Sequence, residues 1–355
     1  MSYTNGLDKP SDYFTTKLFT GNGGTQTISG LDFQPDFLWI KDRGSASSHY
    51  LCDAIRGSTK RLRSDTTAAE VTLTNAVTSF TSDGFAMGDH GAVNSDTSPY
   101  VAWSWKAGTS VSGNTGGSGT AKTYTGSVNT DAGFSIIRYI GNGTAGHTIP
   151  HHLGTTPTWF ICRTISAAKE WDVYHHKLAS SPESDYIVLN TTAAAAGATD
   201  AADKWNDTAP TSSVVTLGDS SQINTNDGTC IMYAFSEKQG YSKFSSYIGN
   251  GNVNGSYIHL GFKPAWVMIK LTSGAGEDWK IYDDKRLGYN AANKSLAANT
   301  NAADSNSNIS IDILSNGFKN RNTSGALNSS GATYIYMAFA ENPFVTSTGV
   351  PATAR

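Results

Sequence analysis

Eight histidines stand in this 355-residue chain, and five of them cluster in its middle third: His147, His151, His152, His175 and His176. Imidazoles alone can hold zinc with one position left open. The spacing argues against it. Adjacent residues on a strand point to opposite faces, so the pairs 151–152 and 175–176 each offer one ligand to any one site. Neither HExxH nor a paired Cys/His spacing is present. No metal is expected. His175 and His176 stay as candidate ligand-binding side chains.

Carboxylates come next. Glu occurs at only six positions (70, 170, 183, 237, 277 and 341). Hydrolysis of a glycoside needs two carboxyl groups facing each other across a cleft, and no repeated pair supplies them. Asp283 and Asp284 read as solvated, or as paired with Lys285 and Arg286. The three cysteines (52, 162 and 230) lack CxxC spacing and read as small buried hydrophobes. No GxSxG or phosphate loop occurs. No catalytic residue and no cofactor is expected, and the chain reads as a non-enzyme. Two further features could meet a ligand. Trp205 lies in the polar run DKWNDTAP, where it could stack on a sugar or fold back as a lid on its own domain. Asp65, Asn190 and Asn299 open the related phrases DTTAA, NTTAA and NTNAA, which read as local caps or as a shared polar ligand loop.

These groups sit on a threefold internal repeat. FTGNGGTQTISGLDFQPDFLWIK from Phe19 returns as YIGNGTAGHTIPHHLGTTPTWFICR from Tyr139, and as YIGNGNVNGSYIHLGFKPAWVMIKL from Tyr247. Asn-Gly at 22–23, 142–143 and 250–251 suggests a two-residue hairpin turn with positive φ at both residues. Pro35, Pro157 and Pro264 open short apolar runs that read as strands covered on both faces. Trp39, Trp159 and Trp266 in these runs read as core. Each copy closes on an aromatic strand, as in YVAWSW from Tyr100 and YIYMAFA from Tyr334. Both alternating faces of those strands are apolar, so both must be covered. The copies are expected to pack together, or the chain to oligomerise.

Low charge (15%), 36 Gly and many Ser, Thr and Asn fit short strands joined by turns. The expected fold is all-β: three tandem similar antiparallel β-sandwich, jelly-roll-like domains, each large enough to close its own core. The boundaries read as a lead over 1–12, a first copy over 13–108, a linker over 109–122, a second copy over 123–239, a third over 240–345 and a polar tail over 346–355. The linker, rich in Gly, Ser and Thr, reads as flexible. It accounts for the spacing of the repeat, which is 120 residues from Gly21 to Gly141 but 108 from Gly141 to Gly249. A net charge of −3 gives no basic footprint for nucleic acid. No apolar run approaches a membrane span.

The combined phrases TGNG/IGNG, the Pro-led W-x-x-IK run, SNGF, and YVAWSWK or YMAFAENPF resemble a repeated domain of uncharacterised function. That domain occurs in tail-fibre-like and other virion proteins of bacteriophages, many from marine or cyanobacterial hosts. The resemblance runs from about Tyr13 to Phe344. The second copy departs most, with Cys162-Arg163 in the Trp-x-x-Ile-Lys region and LGDS at 217–220. The resemblance implies a structural or adhesive part of a virus particle, located in the virion, and implies no catalytic residues.

The functional expectation is a non-enzymatic phage virion protein of tail-fibre or receptor-binding type. Its partners would be other virion proteins and a host surface glycan or protein, with a homo-oligomer, such as a trimer, expected. The alternatives are a decoration protein bound to the virus's own shell, and a glycan depolymerase on the same scaffold.

Overall fold

The computed structural model describes residues 6–197, 202–274, 276–286, 290 and 292–352. The first five residues of the lead and the last three of the tail lie outside them. The fold is all-β and antiparallel, with only short helical turns between strands.

Each copy builds its large sheet in the same order. An opening strand (Phe14–Thr20, Phe134–Ile140, Ser242–Ile248) pairs with the closing strand (Pro99–Trp105, Thr229–Phe235, Thr333–Pro343). The closing strand pairs with the Pro-led strand (Phe37–Asp42, Trp159–Thr164, Phe262–Leu271). A return strand follows (Tyr50–Asp53, Asp172–His175, Lys280–Asp283). The registers match across copies: Phe37 faces Trp105, Trp159 faces Phe235, and Trp266 faces Phe339.

Period-two alternation sends the two faces of these strands into different cores. From the third closing strand, Tyr334, Tyr336, Ala338 and Ala340 enter a cluster belonging to that copy alone. Ile335, Met337 and Phe339 enter a central cluster drawn from all three copies. The first and second copies divide their residues in the same way. Both faces of the closing strands are therefore covered within one chain, by packing of the copies on each other. The separately cored sandwiches of the sequence reading are revised accordingly: each copy keeps an outer core but shares the inner one. In the centre, Phe14 stacks on Phe339 (ring centroids 5.2 Å apart), Phe37 on Tyr233 (4.5 Å), and Trp159 meets Trp279 edge-on (5.9 Å). Trp39, Trp159 and Trp266 are all buried, and the three cysteines are buried and unpaired.

Two local expectations are corrected. The Asn-Gly turns are not hairpins. Only the glycines Gly23, Gly143 and Gly251 have positive φ (65°, 66° and 65°). The strands flanking the turn pair with different partners: Phe14–Thr20 with the closing strand, Gln26–Ser29 with Gly84–Met87. The turn thus carries the chain from one layer to the other. The Asn side chain shapes it, accepting from the amide two residues on (Gly24, Thr144 and Asn252, at 2.9, 2.9 and 3.0 Å). Residues 109–122 are also not a free linker. Thr109–Asn114 pairs with Thr123–Asn129 as the edge strand of the second sheet, and Gly116–Gly117 pairs with His147–Pro150. An edge strand needs backbone bonds rather than core side chains, which a Gly/Ser/Thr run supplies. In the first copy Val77–Thr81 pairs with Gly84–Met87 across a tight turn.

Among the described residues no helix is long and apolar enough to cross a membrane.

Candidate functional site

The six candidate side chains do not converge. Asp65, Asn190 and Asn299 occupy one position of the repeat, and each fixes its own copy's return strand. Asp65 accepts from the amide of His49 (3.2 Å), Asn190 from that of Trp171 and Asn299 from that of Trp279 (2.9 Å each). The carbonyls beside them face the next copy rather than a ligand. Arg163 donates to Thr67 O (2.7 Å) and Ala68 O (3.0 Å), and Lys270 donates to Thr192 O (3.3 Å). Burial pulls Lys270 down to about 8 and Arg163 to about 10.

The same cyclic order appears one strand away. The indole of Trp171 donates to Arg63 O (2.7 Å), and that of Trp279 to Val188 O (3.0 Å). In the first copy His49 replaces the indole and reaches Ala297 O of the third (3.0 Å). By register Arg63, Val188 and Ala297 are equivalent, so copy two holds one, three holds two, and one holds three.

Trp205 is the lid, not a ligand platform. It is 1% exposed, donates to Asp185 O (3.0 Å) and packs edge-on against Phe160 (4.9 Å). Its neighbour Lys204 pairs with the buried Asp172 at 2.7 Å. The stacking reading of Trp205 is therefore withdrawn: its apolar ring found an apolar site beneath the polar run.

His175 and His176 have separate structural places. His175 is fully buried, accepts from the Lys177 amide (2.9 Å) and stands edge-on to Trp159; burial holds its imidazole well below the ordinary value. His176 donates to Phe244 O (2.6 Å), while Glu237 accepts from Phe244 N (2.7 Å). Both backbone groups of an edge strand are thereby occupied by side chains, which blocks pairing there. Among the described residues no group of three His, Cys, Asp or Glu is placed to hold a metal ion.

Two polar networks escaped the sequence reading. The first replaces the His175 position in the other copies. Asp53 binds Arg56 (2.5 Å), which reaches Glu70 (3.0 Å), and the hydroxyl of Tyr233, from the second copy, donates to Asp53 (2.7 Å). In the third copy Asp283 binds Arg286 (2.6 Å), Arg286 binds Asp304 (2.8 Å), and the indole of Trp103, from the first copy, donates to Asp283 (3.1 Å). The second copy has His175, Leu178 and Ala195 instead, in apolar surroundings. The D-x-x-R spacing at 53–56 and 283–286 was a usable signal. Of the two readings of Asp283 and Asp284, pairing is the one observed, since Asp284 meets Lys285 at 2.7 Å.

The second network is a buried Asn that clasps each Asn-Gly turn. Asn94, Asn224 and Asn328 are fully buried, and each accepts from the turn Asn amide at 2.9 Å. Asn328 also donates to Asn250 Oδ1 (2.9 Å), Asn252 O (2.8 Å) and Asn322 O (2.9 Å). The clasp brings backbones together so closely that a Cβ at Gly21, Gly141 or Gly249 would lie 2.1–2.3 Å from a carbonyl oxygen. Asn at equivalent positions 94, 224 and 328 was visible in the letters, but its turn partners lie 72–82 residues away.

The open space lies elsewhere. A cleft of about 780 Å³ opens on the third copy, between the end of its closing strand and the turn at Leu314–Asn316. Lys263, Asn290, Asn316, Glu341 and Asn342 line it, with Pro351 from the tail. Lys263 pairs with Glu341 at 2.5 Å. Lys285, close to Glu341 at 3.9 Å, also holds Asp284, whose carboxyl burial pushes up to about 6. Beside the cleft, the half-exposed Tyr257 donates to Asn316 Oδ1 (2.6 Å).

The family described as a domain of unknown function, DUF7483, matches residues 9–343, nearly the whole chain, and the chain belongs to it. Comparison with curated proteins and with solved structures gave no match.

Proposed function

We propose that this member of the DUF7483 family is a non-enzymatic structural and adhesion protein of a bacteriophage particle, of tail-fibre or receptor-binding type, with exposed loops that contact the host surface. One observation carries the reading. The polar groups that recur in all three copies hold the scaffold: the Asn clasps, the caps at 65, 190 and 299, and the Trp or His bonds between copies. Variation is left to surface loops such as 252–256, which is the division of labour of a display scaffold. The resemblance of the repeated phrases to those of virion proteins supports the same reading. The test is adsorption. Purified protein should bind host cells and slow phage attachment in a dose-dependent way; absence of both refutes the receptor-binding form.

A second reading is a decoration protein seated on the virus's own shell. The cyclic order of contacts favours it, because three equivalent faces around one axis suit a threefold-symmetric partner. Immunogold label on the capsid rather than at the tail tip would select it.

A further inference from the structure

We infer that the cleft on the third copy is a binding site for a neutral glycan; this rests on the adhesion reading above and names its ligand class and place. Four observations point there. First, its size, about 780 Å³, falls in the range of small-ligand sites. Second, three amides, Asn290, Asn316 and Asn342, line it; the Ile313 backbone fixes Asn290 through both its nitrogen and its oxygen (2.8 Å each) and Tyr257 fixes Asn316 Oδ1, and a primary amide so held keeps a second N–H and a second lone pair for a sugar hydroxyl. Third, the charges there cancel. Its charged lining residues, Lys263 and Glu341, are paired with each other, so no net charge is left to select an anion. Fourth, Tyr257, 46% exposed as a residue, stands beside the amide wall with its hydroxyl fixed on Asn316, an apolar platform with a polar tip of the kind sugars stack on.

The other two copies do not reproduce this arrangement. The counterpart of the Asn316 turn carries Asp83 in the first copy, and its carboxylate is occupied by the amides of Gly30, Leu31 and Asp32 (2.9, 3.1 and 2.9 Å). In the second copy the register places Ser213 at that turn, which has no amide side chain, and its carbonyl accepts from the His151 amide (3.2 Å). Among the described residues the third copy carries this arrangement alone, and the expected stoichiometry is one glycan per chain.

The experiment is isothermal titration of the full chain with three probes: a galactose-terminated trisaccharide, a glucose-terminated trisaccharide and a sialylated trisaccharide. At least one neutral probe should bind once per chain, and the sialylated probe should bind at least tenfold more weakly. Asn342→Ala and Tyr257→Ala should each weaken the neutral probe by tenfold or more with an unchanged melting temperature. Asn316→Ala serves as a third variant. If no neutral probe binds, if the sialylated probe binds best, or if all three variants bind as the parent does, the inference is overturned. Host adsorption separates this from the wider reading. Adsorption retained by a chain that binds no glycan refutes the site and leaves adhesion standing, whereas loss of adsorption by the parent chain refutes adhesion itself.

Discussion

Arg56→Leu is the most informative single change in the scaffold. The Arg56 side chain is 1% exposed and neutralises Asp53, which is fully buried and also accepts from Tyr233. Removing the cation strands a carboxylate in the core beside an aromatic cluster. Breaking a buried pair from one side costs ~3–5 kcal/mol. At about 1.3 °C per kcal/mol for a chain of this size, melting should fall by ~4–7 °C. The protein itself contains the control. At the same place the second copy carries His175, Leu178 and Ala195, and the residue of the third copy that corresponds to Tyr233 is Met337. The combined variant Asp53→His, Arg56→Leu, Glu70→Ala and Tyr233→Met rebuilds that environment in the first copy. It should return to within ~1 kcal/mol of the parent, because replacing a whole buried ion network by packed apolar groups is close to neutral. Thermal and urea denaturation of both variants decide it. An unchanged melting temperature for Arg56→Leu, or a combined variant as unstable as the single one, would refute the reasoning.

Two further outcomes follow from the same structure. Asn328→Ala removes the clasp on the third turn, leaves several buried backbone groups unpaired, and should cost about 3 kcal/mol in urea denaturation, whereas the exposed Asn252→Ala should cost under ~1 kcal/mol. Asp284 has its folded-state carboxyl pushed up to about 6 by burial, above its unfolded value, so its ionised form destabilises the fold above pH 6; Asp284→Asn should therefore stabilise by ~1–3 kcal/mol at pH 7.5, with the gain fading as pH falls toward 4, as melting curves across that range would show.

Much of the fold was legible in the letters because its causes are local. Period-two alternation, strand-opening prolines and repeated turn phrases report what each short segment prefers. From them came the all-β class, the three copies and the doubly covered closing strands. Trp39, Trp159, Trp266 and the cysteines were legible as core for the same reason. The candidate site was not legible. Asp65, Asn190 and Asn299 carry the same letters whether they cap a strand or meet a ligand, and only the placement of the neighbouring copy turned the carbonyls beside them into acceptors for Arg163 and Lys270.

The sequence by itself determined the unit, its repetition and its alternating strands, since these follow from residue types a few positions apart. Tertiary structure alone decided that the units share one aromatic centre, that Trp205 turns inward, that residues 109–122 become an edge strand, and that the third copy keeps an open cleft. Each of these rests on groups brought together from distant positions: Tyr233 reaches Asp53 across 180 residues, and so does Trp103 with Asp283. Such meetings depend on how three similar sheets close around a common axis, a property of their packed faces that no single stretch of the chain encodes.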